Sequence, residues 1–254
     1  MYRIAIVVST VGFHWEELFA AYWTYADAGM EISLYTVNGQ EPKADPMSLK
    51  PTGPASVMGL GMPARIAPST ARGEALMAKL RDAAPLKEMD PLAFDALYLP
   101  GGHGCLFDVN RNPLLHSAVK TMYDHGGLLA AVCHATSTFA FVKKAGRSII
   151  EGHAITGFPH ALDSILIKAG LVRPEFLPLP LINDDELKNA GAQHSTVDET
   201  LAFINPRHWT ASLPFITGMG PKSAAPVAKA LIKALKERTN SAEPDSHASA
   251  SQRA

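Results

Sequence analysis

Along most of this chain the apolar positions follow one of two periods, and the changeovers between them mark its elements. Arg3 to Ser9, RIAIVVS, is a short run rich in β-branched residues and predicts a buried strand. Over Glu16 to Ala28 the residues Leu18, Phe19, Tyr22, Trp23 and Ala26 recur at helical spacing, and Gly29 ends that helix. Glu31 to Thr36 reads as a second strand. A strand-helix-strand opening calls for a parallel sheet covered on both faces, an α/β architecture. Asp95 to Leu99 and Leu128 to Val132 predict further strands of the same kind. Helices are expected over Gly73 to Asp82, Pro113 to His125, Ala135 to Lys144, His160 to Lys168 and Asn183 to Asn189. Ala154 to Thr156, Thr200 to Ile204 and Pro214 to Thr217 are late extended segments. Ser223 to Arg238 is an amphipathic closing helix, with Lys222, Lys229, Lys233 and Lys236 as its solvated face.

Two stretches follow neither period. Between Asn38 and Gly73, six prolines from Pro42 to Pro68 are interleaved with Gly53, Gly59 and Gly61, which no regular helix or central strand tolerates. A loop of that length inside a domain reads as a cap or lid beside an active site (38–73), or equally as an arm for dimer contact. From Thr239 to Ala254 the chain is polar and poor in large apolar residues, which predicts a disordered tail. Residues 1–238 are left as a single α/β domain.

Composition narrows the partners more than the fold. The 254 residues carry a net charge of −1 with 19% charged residues, so nothing marks a face for nucleic acid, and a small, nearly neutral partner is expected. No run approaches the roughly 18 uninterrupted apolar residues of a membrane span, and the N-terminus lacks a cleavable leader pattern. With only Cys105 and Cys133 there is no disulfide framework, and a soluble cytoplasmic protein is expected.

The candidate chemistry gathers at Leu128 to Thr138, LLAAVCHATST. Five apolar residues follow the breaker pair Gly126 and Gly127 and run directly into Cys133 and His134, with a helical pattern starting at once. A strand that turns into a helix without a loop needs small residues two before and two after the apex, and Ala131 and Ala135 supply them. This is the physics of a nucleophile elbow with cysteine at its tip. Helix N-H groups beneath the tip would favour thiolate, which is only about 3% of a free thiol at pH 7. The competing reading is that Cys133 is one more small buried hydrophobe. Leu99 to Gly104, LPGGHG, ends a strand in a glycine-rich turn beyond the carboxyl ends of the strands, where α/β sheets place ligands, with a plain tight turn as the alternative. Asp184, Asp185 and Glu186 suit the N-terminus of their own helix. The ten histidines show no His-x-x-x-His spacing, and no metal site is expected.

Taken together, RIAIVVS, VGFHWEE, ADPMSL, DALYLPGGHG, AAVCHA, ITGFPHALD and ITGMGPKSA resemble the ThiJ/PfpI superfamily, relatives of class I glutamine amidotransferases. The motifs run from Arg3 to about Arg238. They look most like the branch holding the heat-shock chaperone and the glutathione-independent glyoxalase III. The resemblance implies a flavodoxin-like, doubly wound, mostly parallel sheet with helices on both faces, a homodimer and no cofactor. It makes Cys133 the nucleophile, His134 and Asp163 its triad partners, and Glu17 a proton carrier hydrogen-bonded to the thiol. It also implies an oxyanion site at the N-H groups of Gly102 and His134, with His103 shaping the turn or pocket wall. Bland readings stand beside these: a first-turn helix acid for Glu17, a surface carboxylate for Asp163, solvent-facing rings for His14 and His160, and packing for Cys105. Two departures are visible: Thr217-Gly218-Met219-Gly220-Pro221 stands where the family commonly carries Thr-Gly-Gln-Asn-Pro, and the Thr-Gly-Phe segment leads to Pro159 and His160 without the paired glutamates of some branches.

The activity so implied is conversion of a small carbonyl substrate, a 2-oxoaldehyde such as methylglyoxal, to a 2-hydroxy acid without glutathione. The alternatives are a holdase chaperone built around 38–73, or a cysteine hydrolase, peptidase or isonitrile hydratase using the same thiol.

Overall fold

Strand β1 (Arg3–Val8) sends Ile4, Ile6 and Val8 to one side and Ala5 and Val7 to the other, and all five are fully buried. A strand buried on both faces belongs in the middle of a layered structure. The computed structural model describes residues 1–50, 62–194 and 207–242. Its central sheet runs β9 (Trp209–Ser212), β10 (Phe215–Gly218), β5 (Leu128–Val132), β4 (Ala96–Leu99), β1, β2 (Glu31–Thr36), β3 (Ala84–Pro85), and a short β8 (Ala154–Ile155) stands outside it. Every neighbouring pair is parallel except β9 with β10. This is an α/β fold of flavodoxin type.

One face of the sheet is covered by α1 (Trp15–Asp27) and the closing helix α7 (Ala224–Ala242), which bury Leu18, Tyr25, Val227 and Leu231 against Ile4, Tyr98 and Ala130. The other face carries α4 (Pro113–Asp124), with Leu115, Val119 and Met122 set against Val7, Leu97 and Leu129. The helix ends are sequence-encoded. Asn112 accepts from the N-H groups of Leu114 and Leu115 ahead of Pro113, and Thr70 accepts from Gly73 N-H to start α2 (Ala71–Arg81). Helix α7 continues to Ala242, past the expected start of the tail, and residues 243–254 lie outside the described part.

The described ends of the proline-rich stretch pack on the start of α1. Ser48 Oγ accepts from Trp15 N-H at 3.1 Å, and the Trp15 indole donates to the Ile66 carbonyl at 2.5 Å. Residues 51–61, the middle of that stretch, lie outside the described part, as does the expected strand Thr200 to Ile204.

Two expectations are corrected. The stretch after Cys133 is not an α-helix to Lys144 but a 3₁₀ winding over Cys133–Phe141, followed by a hairpin of β6 (Lys143–Lys144) and β7 (Arg147–Ser148). Thr136 Oγ1 donates to the Cys133 carbonyl, and Asn110 and Ser137 side chains both donate to that of His134. Carbonyls that an α-helix would use are thereby engaged by side chains. Lys222 is the second correction. It lies in a turn before α7 and donates both to Glu16 Oε1 at 2.7 Å and to Oε2 at 2.8 Å, instead of standing on a solvated face.

Candidate active site

The turn at the end of β5 is as tight as its sequence requires. Cys133 has φ of 58°. A non-glycine residue in that left-handed region costs roughly 1–2 kcal/mol and persists only where the surroundings enforce it. Ala131 and Ala135 on either side have no exposed surface, so larger side chains have no room there. The β4 turn presses on the same point. A methyl group on Gly101 would meet Cys133 Cβ at 2.6 Å and Glu17 Oε2 at 2.9 Å. Gly102 adopts φ of 112°, with His14 N only 2.6 Å from where its Cβ would be.

Around the sulfur the structure brings together most of the residues singled out above. His134 Nδ1 lies 3.4 Å from Cys133 Sγ, and its Nε2 lies 3.0 Å from Asp163 Oδ2. Asp163 is held at the start of α5 (His160–Lys168), whose first N-H is capped by Asp184 Oδ2 at 3.0 Å. Asp184 therefore serves a neighbouring helix as well as the N-terminus of α6 (Asn183–Asn189). Glu17 enters from the first turn of α1, fully buried. Its Oε2 accepts from Gly101 N-H at 2.6 Å, which sets the carboxyl beside Cys133. Gly102 lines the cavity beside it. His160, by contrast, is exposed at the start of α5.

His103 turns out to bridge two carboxylates. Its Nδ1 is 3.0 Å from Asp45 Oδ2, and its Nε2 is 3.5 Å from Asp163 Oδ1. A buried chain Asp45, His103, Asp163, His134, Cys133 results. Sequence reading quoted Asp45 within ADPMSL without giving it a task. Its signal was an acid between a bridge to Phe13 and a Pro-started turn, where its other oxygen accepts from Met47 N-H at 2.9 Å.

These environments drive the two site acids apart. Burial pushes Glu17 up to about 8, against the Gly101 N-H bond and the nearby thiol, which favour its anion. Burial also opposes the charge on Asp163, but His134 and His103 outweigh it and hold this acid below the ordinary carboxylate range. For His103, burial again works against the charge, and bonds to Asp163 and Asp45 reverse it, lifting the imidazole to about 9. The Cys133 thiol is pushed up by burial and then by the Glu17 charge. That overturns the expectation of a ready-made thiolate, for the carboxylates and the missing water outweigh the short 3₁₀ turn. The two groups titrate as a pair: once Glu17 holds its proton, its charge no longer opposes the thiolate.

The cavity over the sulfur is narrow, about 10 Å³, bounded by His14, Met47, Gly102, His134, Phe158 and Pro221. That is the room one water molecule needs. Met47 and Pro221 supply apolar wall that no motif announced, and Met219, at the position of the first departure noted above, is buried with Phe158 beside Cys133. Donor atoms of His103, His134 and Asp163 lie within 4.8 Å of one another, the set among the described residues best placed to hold a metal ion. Within that set His134 Nε2 is already bonded to Asp163 at 3.0 Å, and His103 Nε2 pairs with the same carboxylate at 3.5 Å.

A cysteine at a strained strand end, a histidine and an acid behind it, and a second acid in front define a class of α/β proteins with a nucleophile elbow. The chain belongs to the DJ-1/PfpI family, whose model matches residues 67–233, more than half of it. A glutathione-independent glyoxalase of Schizosaccharomyces pombe is 27% identical over 235 residues, 87% of this chain and 86% of that protein. A glutathione-independent glyoxalase of Saccharomyces cerevisiae is 32% identical over 154 residues, and the match spans 61% of its length and 59% of this chain. The solved structure of glyoxalase III from Candida albicans superposes with a TM-score of 0.68 at 22% identity, covering 92% of this chain and 97% of that one, a likeness of fold. Among the described residues no helix is long and apolar enough to cross a membrane.

Proposed function

We propose that the protein is a cofactor-independent glyoxalase that converts methylglyoxal and related 2-oxoaldehydes to 2-hydroxy acids, with Cys133 as nucleophile. The observation that carries this reading is the fully buried Glu17 carboxyl, packed with Cys133 against the same face of Gly101 and pushed by burial up to about 8. An acid with a pKa near working pH can both give and take a proton within one turnover. The names of the relatives support the same substrate class.

In this reading the thiol proton passes to His134 as sulfur bonds to the aldehyde carbon C1. Glu17 gives its proton to the aldehyde oxygen, leaving a hemithioacetal and a carboxylate. That carboxylate takes the hydrogen of C1 while His134 protonates the oxygen on C2, giving an enediol. Glu17 then delivers its proton to C2 as His134 accepts the C1 hydroxyl proton, so C1 is oxidised to a thioester and C2 reduced to a carbinol. Water adds to C1 with loss of a proton to Glu17, and His134 returns a proton to the departing sulfur. Asp163 orients His134 and balances its charge, and the Gly102 and His134 N-H groups receive the oxyanion. His103 lines the pocket as a fixed cation. Substrate needs more room than one water, so the flexible Met47 side chain must swing aside for entry.

The test is lactate formation from methylglyoxal by the pure protein without glutathione, with Cys133→Ala alongside. Turnover lost in the variant supports the reading, and a wild-type protein that makes no lactate ends it. The Cys133, His134, Asp163 geometry also suits hydrolysis of a small acyl substrate, which the same preparation tests with a thioester. The narrow cavity argues against peptides.

A further inference from the structure

Among the described residues, eight buried side-chain nitrogen or oxygen atoms have no hydrogen-bond partner. Four of them belong to three residues of the active site: both ring nitrogens of His14, Glu17 Oε1 and His103 Nε2. Glu17 and His103 have an assigned partner through another atom. His14 has none. A buried polar group left unpaired costs free energy, and a native structure that keeps one is keeping it for something.

The position of His14 is fixed by its backbone, not by its ring. Its N-H donates to the Gly101 carbonyl at 2.8 Å, and its own carbonyl begins α1 by accepting from Leu18 N-H at 3.2 Å. The side chain is 4% exposed and lines the cavity together with Gly102, Cys133 and His134. Burial pushes the imidazole down to about 3, with the Asp45 charge opposing this and those of His103, Lys222 and His134 adding to it. A neutral imidazole offers one N-H donor and one acceptor nitrogen. Of the remaining wall, Met47, Phe158 and Pro221 offer neither from their side chains, and His103 turns its two nitrogens towards Asp45 and Asp163.

We infer that His14 is a specificity-determining residue that hydrogen-bonds the oxygen on the carbon next to the reacting carbonyl, selecting 2-oxoaldehydes over simple aldehydes. The inference rests on the glyoxalase reading. That reading gives the C1 oxygen the Gly102 and His134 N-H groups, whereas the C2 oxygen receives only a proton in passing from His134 and has no standing partner in the bound substrate. A neutral imidazole serves it through the whole sequence, donating to the C2 carbonyl at first and able to accept from the C2 hydroxyl of the product after a shift of tautomer.

The test separates recognition from turnover. Aldehydes that add to the Cys133 sulfur protect it from iodoacetamide, so protection of Cys133, read by mass spectrometry, measures adduct formation. Wild type, His14→Phe and His14→Gln are titrated with methylglyoxal and with propionaldehyde, which has no second oxygen. Labelling rates without aldehyde and thermal melting confirm that each variant is folded with its thiol intact. His14→Phe is expected to need about tenfold more methylglyoxal for half-protection, the scale of one lost neutral hydrogen bond, with propionaldehyde unchanged. His14→Gln, which keeps a donor and an acceptor, should recover part of the difference. Equal protection of wild type and His14→Phe by methylglyoxal overturns the inference, and so does an equal loss for both aldehydes. If wild type forms the adduct selectively but makes no lactate, the glyoxalase reading fails and the role of His14 stands. If lactate forms but selectivity survives in His14→Phe, only His14 falls.

Discussion

Cys105 and Cys133 are both free, both buried and both held protonated by that burial, yet the two sites are built differently. Cys105 opens a short helix, α3 (Cys105–Asp108), in relaxed backbone, and its S-H donates to the Pro100 carbonyl at 3.3 Å. No acid or base bonds its sulfur. Cys133 sits at a φ of 58°, with an imidazole nitrogen at 3.4 Å and the Glu17 carboxyl packed beside it. Burial alone therefore does not separate an inert thiol from a nucleophile. What separates them is whether the proton has somewhere to go, and whether the backbone is strained to hold the sulfur where it can leave.

The sharpest way to break that comparison is to keep the sulfur and remove the proton carrier. Glu17→Gln preserves the shape and an oxygen to accept from Gly101 N-H. It is expected to lower kcat for methylglyoxal by about 10²–10⁴-fold, the range of a lost general acid-base group. Iodoacetamide should still label Cys133 and not Cys105. Turnover within tenfold of wild type would remove Glu17 from the mechanism and favour simple hydrolysis by the Cys133, His134, Asp163 set. A second variant strikes the scaffold. In Gly101→Ala the new methyl group meets Cys133 Cβ at 2.6 Å and the Val132 carbonyl at 2.7 Å, and neither neighbour is a flexible chain end. A loss of about 1–3 kcal/mol in urea denaturation is expected, as in other overpacked cores, with activity falling alongside. An unchanged midpoint would mean the turn is looser than its geometry.

The pH dependence of stability sharpens the contrast between the two site acids. Glu17 is raised from its ordinary value to about 8, so the folded protein holds that proton more tightly than the unfolded chain. Its contribution is complete at pH 4 and is lost as pH rises through 8. His103, raised to about 9, gives up its contribution in the same direction, from about pH 6.5 to 9. Asp163 has the opposite sign. Held low, it stabilises above the ordinary carboxylate range and loses that contribution only in stronger acid. Denaturation midpoints should therefore fall between about pH 5 and 9, and the fall should be shallower in Glu17→Gln and in His103→Gln. The slope is the readout, because His103→Gln also breaks a buried pair. Two variants as steep as wild type would place the titration elsewhere.

Most of the scaffold was legible because its elements obey a single period. Leu128 to Val132 is buried on both faces and reads as a central strand with no further information. The elbow was legible for a related reason, since small residues at Ala131 and Ala135 are a steric demand visible in one dimension. The 3₁₀ winding after Cys133 was not, because it depends on Asn110 reaching across to the His134 carbonyl from a different segment. The protonation of the site was misread on the same ground. A helix terminus can be inferred from local sequence, whereas the opposing charges come from Glu17 and Asp163, far from Cys133 along the chain. Asp45 and His103 illustrate the limit: each sits in a motif, and only the fold shows that they bond each other, 58 residues apart.

The smallest effect is expected where the comparison began. Cys105→Ala removes a sulfur with no exposed surface, packed with Leu97, Leu99 and Val109, and leaves a hole of roughly methyl size. A loss of about 1 kcal/mol in stability follows from the vacated volume. The S-H bond to Pro100 is a weak one, and its loss adds little. Because Pro100 opens the turn that carries Gly101 and Gly102, a merely structural cysteine could still reach the active site by shifting that turn. Two measurements on Cys105→Ala separate these cases: the denaturation midpoint and kcat/KM for methylglyoxal. Activity within about twofold of wild type at reduced stability makes Cys105 filling for the space behind the turn. A tenfold loss of kcat/KM with little loss of stability would show instead that the turn takes its position from this sulfur, and the two cysteines would then belong to one site.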